Sequence, residues 1–257
     1  MNKNDWMSTM LSSPLMKVMA ENLDRSARET GPRGSKLFMG VTSHVGVDRT
    51  VIDIVAGIGR FAIPMAIDGL NVTAIEPSDE MYRHLLESVK NEGLESKIDI
   101  IRSVWPVDED LHADVTFASL VIQFSTDPLK FINAMERASK NRCILSVHVD
   151  QPLVFLGDIW TSFHPAESTP SMLIFSDLYP ILTREGITAD VEIIRGQYRP
   201  MATMDDIKFL PLLSEFLGIT DQPDGMRRLK EILSAKREQV RGLRTMRIAL
   251  ISWYPRR

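Results

Sequence analysis

The feature that most constrains the fold of this 257-residue chain is a predicted strand that runs through a two-glycine turn into a helix. Residues 51–66 read VIDIVAGIGRFAIPMA, in which Gly57 and Gly59 separate two apolar runs. Because glycine lacks a Cβ, the backbone can turn sharply there and approach a ligand closely. The helix that follows would point free N–H groups at that ligand. The stretch therefore predicts a nucleotide-type site at the end of the first strand.

From residue 51 onward, predicted strands alternate with predicted helices. The strands are 51–56, 72–76, 98–102, 114–119, 143–149, 190–195 and 246–254, and the helices beyond the glycine turn are 79–92, 128–139, 177–185, 204–217 and 224–240. Repeated strand–helix–strand units give right-handed crossovers and a parallel sheet with helices on both faces. The pattern predicts an α/β fold with a doubly wound, mostly parallel sheet.

Composition narrows the class of protein. The formal net charge is −4, which argues against bulk electrostatic capture of nucleic acid. The single cysteine, Cys143, excludes an internal disulfide and a cysteine-rich metal site, so no metal is predicted. No apolar run is long enough for a transmembrane helix, and the N-terminus lacks the apolar core of a signal peptide. We expect a cytoplasmic protein with no membrane partner.

The chain is predicted to form one domain, 1–257, with a cofactor-binding core at 49–150. Residues 1–48 form a helical N-terminal segment, which either closes over the site as a lid or packs against the sheet. It contains a helix starting at Ser13–Pro14 and a second at 36–44. Two insertions, 151–189 and 200–242, are expected to cover the substrate, and 243–257 carries the closing strand.

The glycine turn has two interpretations. Gly57-x-Gly59-x-x-Ala62 is typical of a nicotinamide dinucleotide site. Glu76, at the end of the second strand, could accept both ribose hydroxyls of an adenosine, which NAD and S-adenosylmethionine share. Alternatively, Glu76 has no role in binding and is a solvated charge at a strand end. Asp53, four residues before Gly57, favours S-adenosylmethionine, because dinucleotide folds usually place an apolar residue there.

Three motifs in this order resemble the class I S-adenosylmethionine-dependent methyltransferases. They are DIVAGIGRFAIPMA, AIEPSDEMYRHL and ADVTFASLVIQF, and the resemblance covers residues 50–150 and the final strand. It implies a Rossmann-like fold of seven strands, with the last one antiparallel beside the fifth. It also implies S-adenosylmethionine as cofactor and S-adenosylhomocysteine as product. Val55 stands where the family motif usually has its first glycine.

The resemblance also implies which residues bind the cofactor. The methionine part would be surrounded by Asp53, Ala56, Gly57 and Gly59, and the ribose by Glu76 and Pro77. The adenine would be surrounded by Ser103, Val104 and Trp105, and Ser119 would lie at the reaction centre. Family members often have an acid in the adenine loop. Here Val104 stands nearest that position, and Asp108 is a possible substitute.

Acceptor-binding residues are expected beyond the fourth and fifth strands, at Gln123, Trp160, His164 and Glu167. His148 or His164 could be a general base. Alternatively, neither has a catalytic role: His148 is then a hydrogen-bonded histidine at a strand end, and His164 is an ordinary loop histidine. The chain reads SLVIQF after the fourth strand and lacks the Asn-Pro-Pro-Tyr type of motif, which favours a small-molecule acceptor.

Other functions stay open at this point. Residues 226–257 contain ten Lys or Arg against two acids, which favours an RNA acceptor, unless these charges only solvate a helix face. An NAD-dependent oxidoreductase and a non-catalytic cofactor-binding subunit are the remaining alternatives. The oligomeric state is not predicted.

Overall fold

The structure is a computed structural model that describes residues 32–152, 154, 157–167, 169, 171–198, 206–236 and 244–256. The predicted helix at Ser13–Pro14 lies outside the described residues. Within them, no helix is both long and apolar enough to span a bilayer.

Seven strands form one sheet. They are β1 (Thr50–Ile54), β2 (Asn71–Ile75), β3 (Ile98–Ile101), β4 (Ala113–Ser119), β5 (Ser139–His148), β6 (Asp190–Tyr198) and β7 (Arg244–Trp253). Their spatial order is β3-β2-β1-β4-β5-β7-β6. The first five pair in parallel, whereas β7 runs antiparallel to both β5 and β6. The predicted doubly wound, mostly parallel sheet with an antiparallel last strand beside the fifth is confirmed.

Eight helices are described. They are α1 (Lys36–Thr42), α2 (Ala62–Ile67), α3 (Asp79–Asn91), α4 (Pro128–Ala138), α5 (Gly157–Phe163), α6 (Phe175–Arg184), α7 (Asp206–Phe216) and α8 (Gly225–Ala235). Local sequence explains where the central ones begin. The Oγ of Ser78 caps α3, while Asp127 accepts from Lys130 N (2.9 Å) and Pro128 occupies the first turn of α4.

Apolar side chains cover both faces of the sheet, because successive residues of a strand point to opposite sides. One cluster joins Ile54 and Leu145 to α4 and α6. The other joins Phe117 and Ile144 to α1, α2 and α3. A third, which we call the cap cluster, lies between α5, α7 and α8 and consists of Ile159, Trp160, Leu213, Leu217, Ile219 and Leu229.

Several boundaries differ from the sequence prediction. Helix α8 ends at Ala235 rather than at residue 240, and β6 ends at Tyr198 rather than at residue 195. Helix α2 begins at Ala62 rather than near Gly59, because the turn itself, with positive φ at Gly57 (61°) and Gly59 (86°), occupies the intervening residues. Strand β5 begins at Ser139 rather than at residue 143. Its polar start is stabilised by Arg142, which is buried, pairs with Asp190 and donates to the Oγ of Ser252 (3.0 Å).

Candidate functional site

The two glycines of the turn serve different purposes. A Cβ on Gly57 would meet no atom within 4 Å, so its surface faces open space at the end of β1. A Cβ on Gly59 would lie 2.5 Å from Leu85 Cδ1, so this glycine lets α3 pack against the turn. Val55 also has a positive φ (59°), which is unfavourable for a β-branched residue. Its side chain packs against the apolar cluster that contains Ile54, and this burial offsets part of that strain.

Glu76 follows β2 and is only 1% exposed. Its Oε2 accepts from the N–H of Gly57 (2.7 Å) and its Oε1 from the N–H of Ser78 (2.8 Å). Burial raises the pKa of Glu76 to about 7, although these two N–H bonds lower it. The carboxylate therefore links the glycine turn to the start of α3, and each oxygen keeps a second lone pair for a ligand.

Asp53 lies in β1, between Ala74 of β2 and Phe117 of β4. Burial raises its pKa to about 7, and the charge of Glu76 raises it further, while the N–H of Ala62 lowers it. Its Oδ2 is buried and has no hydrogen-bond partner. Two neighbouring buried carboxyl groups with raised pKa values would be stabilised in their ionised form by a cationic ligand.

The ends of β4 and β5 carry a second group of polar side chains. Ser119 lies opposite Ser146 in the register, and their Oγ atoms are 3.1 Å apart. His148, the last residue of β5, is 8% exposed, and its Nδ1 has no partner. Burial lowers its pKa, and Asp150 acts in the opposite direction. Gln123 donates to the carbonyl oxygen of Leu120 (2.6 Å), but its Oε1 is unpartnered.

Buried polar atoms without a partner concentrate at this end of the sheet. Among the described residues there are five such side-chain atoms, and three of them belong to Asp53, Gln123 and His148. These residues lie at or just beyond the carboxyl ends of β1, β4 and β5, which we call the carboxyl edge. Since native proteins pair nearly all buried polar atoms, this concentration marks a ligand site. In open α/β sheets, ligands bind at the carboxyl ends of the strands.

The comparison with protein families agrees with this geometry. The TRM5/TYW2 methyltransferase domain matches residues 32–154, the stretch that contains β1 to β5 and the carboxyl edge. Residues 32–154 therefore form a methyltransferase domain, in agreement with the sequence resemblance to the class I S-adenosylmethionine-dependent methyltransferases. The cofactor of such a domain is S-adenosylmethionine, as the sequence resemblance implied.

Solved structures share the fold of this methyltransferase. One is an S-adenosylmethionine-dependent methyltransferase from Geobacter sulfurreducens in complex with S-adenosylhomocysteine, at 16% identity, a TM-score of 0.57, and coverage of 96% of this chain and 100% of that one. Another is YcgJ from Bacillus subtilis, at 13% identity and TM-score 0.56, covering 86% of this chain and 98% of that one. The [4+2]-cyclase SpnF also matches, at 18% identity and TM-score 0.53, covering 86% and 80%. No curated protein matches the sequence significantly.

The residues of the methyltransferase fit the cofactor. The open space beside Gly57 leaves room for a ligand next to the turn, and the unpartnered Oδ2 of Asp53 is an acceptor for an ammonium group. In the loop after β3, Val104 is 70% exposed and offers an apolar surface to a base. Trp105 is buried instead, and its indole N–H donates to the carbonyl oxygen of Phe131 (3.2 Å).

The structure places the predicted acceptor residues in two separate regions. Trp160 belongs to the cap cluster and stacks on His164, with ring centroids 4.2 Å apart. The Nε2–H of His164 donates to the carbonyl oxygen of Leu217 (2.8 Å), and its Nδ1 lies 3.6 Å from Glu167 Oε1. Among the described residues, no hydrogen bond or ring contact joins this group to His148. Only Gln123 and His148 are brought to the carboxyl edge.

Sequence reasoning missed Ser146 and the ion pair beside His148. Ser146 becomes relevant only through the register that sets it against Ser119, although its position two residues before His148 already put both on one face of the strand. Arg247 of β7 pairs with Asp150, with 2.9 Å between Nε and Oδ2. That contact joins residues far apart in sequence and leaves no local signal. No group of His, Cys, Asp and Glu suited to a metal occurs in the described part of the chain.

Proposed function

We propose that this methyltransferase transfers the methyl group of S-adenosylmethionine to a small-molecule acceptor at the carboxyl ends of β4 and β5. The observation that carries the proposal is the set of unpartnered buried atoms on Asp53, Gln123 and His148. A buried polar group without a partner costs about 1–3 kcal/mol. Ligands that supply the missing hydrogen bonds would recover this free energy, so the edge favours compact polar molecules.

Each part of the cofactor has candidate residues in this arrangement. The second lone pairs of Glu76 are suited to ribose hydroxyls, and Asp53 to the ammonium group. The methionine part would be lined by Ala56, Gly57 and Gly59, and the ribose by Pro77. The adenine would be lined by Ser103, Val104 and the ring of Trp105. The methyl group would lie next to Ser119. The bound cofactor supplies a methyl group already activated on a sulfonium. The protein then has to align the acceptor and exclude water.

The charge distribution also supports a small acceptor over RNA. Most of the described basic side chains after residue 226 are engaged within the protein. The ion pairs are Arg227 with Asp224 and Glu231, Lys236 with Asp158, Arg247 with Asp150, and Arg256 with Glu136. Arg228 donates to the carbonyl oxygen of Ser162 (2.6 Å). Paired charges contribute less to binding a phosphate backbone than free ones.

An RNA acceptor is the second candidate, because the TRM5/TYW2 domain match favours it. The two candidates separate in one experiment with methyl-labelled S-adenosylmethionine. The purified protein is incubated with total RNA in one tube and with a metabolite extract freed of protein and RNA in another. We expect label in the small-molecule fraction only, and weaker transfer by a Glu76→Ala variant at low cofactor concentration.

Each other outcome identifies an alternative. Label in RNA alone would replace the small-molecule proposal with RNA methylation. S-adenosylhomocysteine binding without transfer to either pool would indicate a non-catalytic cofactor-binding subunit. Binding of NAD without binding of S-adenosylhomocysteine would indicate an oxidoreductase.

A further inference from the structure

His148 belongs to a row of polar side chains that crosses the carboxyl edge. Ser146 and His148 are two residues apart in β5 and therefore lie on the same face of the strand. Ser119 extends this row onto β4 through its contact with Ser146 (3.1 Å between the Oγ atoms). His148 pairs with Ile248 of β7, which closes the row on its other side. The row thus presents two hydroxyls and one imidazole next to the end of β4.

The imidazole of His148 is held neutral and free to accept a proton. It is more than nine-tenths buried and its Nδ1 has no partner in the protein. Burial lowers its pKa, and Asp150 is the charged group that opposes this effect. Asp150 is itself paired with Arg247 of β7, and this guanidinium holds the pKa of Asp150 below its ordinary value. The negative charge near His148 is therefore largely compensated.

We propose that His148 is the general base of the methyl transfer and that the acceptor is a hydroxyl group. This inference rests on the small-molecule function proposed above. The hydroxyl oxygen forms a bond to the methyl carbon as the carbon–sulfur bond breaks. Sulfur keeps the bonding electron pair, and the hydroxyl proton moves to Nδ1 of His148. The products are a methyl ether, S-adenosylhomocysteine and an imidazolium that returns its proton to solvent.

Other acceptor classes match the row less well. A carboxylate is already ionised and needs no base, so a buried neutral imidazole would add nothing to its methylation. A protonated amine would bring a positive charge next to a carboxylate that Arg247 already neutralises. A neutral hydroxyl needs a proton acceptor and hydrogen-bonding neighbours, and His148, Ser119 and Ser146 provide both.

The test compares His148→Asn with His84→Asn. Asparagine keeps a polar atom near the Nδ1 position but cannot take up the proton. His84 lies on α3, where it pairs with Glu80 at 3.5 Å. Both variants should bind S-adenosylhomocysteine as the wild type does. We expect His148→Asn to lower kcat by roughly 100-fold to 10,000-fold, the range for general base catalysis, and His84→Asn to leave kcat unchanged.

Two further readouts do not depend on the fold of the variant. The NMR shift of the labelled methyl group in the product should be that of an ether. The NMR titration of the wild-type imidazoles should show His148 neutral at pH 7, and the acid limb of kcat/KM should follow its pKa. A methylated amine, acid or thiol, a wild-type rate with no acid limb, or full activity in His148→Asn would overturn the proposal. If no small molecule is labelled at all, the proposed function fails, and His148 loses this role with it.

Discussion

The carboxyl edge contains a buried histidine and the cap cluster packs against a half-buried one, but the two imidazoles differ in what they contact. Beside the cap cluster, His164 stacks on Trp160 and donates to the carbonyl oxygen of Leu217. At the carboxyl edge, the Nδ1 of His148 has no partner, and the same is true of Asp53 Oδ2 nearby in the sheet. The cap cluster has one unpartnered buried atom among its described residues, the single N–H of Trp160.

This difference separates two uses of buried polar groups. A histidine that is stacked and hydrogen-bonded within its own protein contributes to packing and fixes the position of a helix. An unpartnered histidine or carboxyl group at the edge of a parallel sheet carries a cost that only a ligand can offset. We infer that the carboxyl edge is built for ligands and that His164 is primarily structural. The predictions below test that separation, from the largest expected effect to the smallest.

The largest effect is expected from Gly57→Val. Gly57 has φ 61° and faces open space, so a valine would place its side chain in the cofactor site. We expect S-adenosylhomocysteine binding, measured by calorimetric titration, to be lost. Gly93→Val is the matched control, because Gly93 has φ 64° and also faces open space, but at the end of α3. Both variants should lose about 1–2 kcal/mol of unfolding free energy from the left-handed backbone. Equal binding by the two variants would place the cofactor elsewhere.

A core substitution in the cap cluster should lower the stability of the protein without changing its affinity for the cofactor. Leu217 is fully buried, and Leu217→Ala is expected to lower the free energy of unfolding by about 2–5 kcal/mol through lost burial and a cavity. The hydrogen bond from His164 goes to the backbone of Leu217, so the substitution retains it. Chemical denaturation measures the loss, and affinity for S-adenosylhomocysteine should not change in native conditions. A parallel loss of affinity would mean that the two regions form one site.

Glu76→Ala should weaken S-adenosylhomocysteine binding by roughly 1–3 kcal/mol, the scale of losing hydrogen bonds to a charged group. The variant removes the acceptor for Gly57 N–H as well as the predicted ribose contact. Glu231→Ala, on the exposed side of α8, is the control and should bind normally. Unchanged affinity in Glu76→Ala would exclude Glu76 as the ribose ligand.

The smallest effect is a pH slope in stability. Burial raises the pKa of Asp53 from 3.8 to about 7, so between these values the folded protein holds a proton that the unfolded chain has released. The free energy of unfolding should therefore fall as pH rises from about 4 to about 7, by at most about 1.4 kcal/mol per pH unit for this proton. Asp53→Asn should reduce that slope, whereas Asp99→Asn, on an exposed residue of β3, should not. Identical slopes in denaturation at several pH values would show that Asp53 is ionised in the folded protein.

Local sequence patterns were sufficient for most of the sheet. Strands β1 to β4 consist mainly of apolar and β-branched residues between turn signals, and their predicted bounds agree with the structure to within two residues. The start of β5 could not be predicted, because Ser139 to Arg142 are polar in sequence. The charge of Arg142 is accommodated there by Asp190 and Ser252, which come from distant strands.

The site residues likewise fall into those that a local sequence pattern predicts and those that depend on distant contacts. The glycine turn and Glu76 lie within 20 residues of each other and follow a local pattern, so they could be predicted. The different surroundings of His148 and His164 could not be predicted. His148 ends a strand and His164 directly follows a helix, and the neighbouring sequence is similarly polar in both cases. What separates them is the carbonyl oxygen of Leu217, 53 residues beyond His164. Such contacts are set by how α5 packs against α7, which no local pattern records.

The most direct measurement is a crystal structure of the protein with S-adenosylhomocysteine. We expect the ligand along the carboxyl edge, with its ribose hydroxyls on Glu76, its amino group toward Asp53, and its sulfur on the side of Ser119 and His148. Ligand bound instead against the cap cluster, or at the edge without contact to Glu76 and Asp53, would contradict the assignment of this edge as the site of methyl transfer.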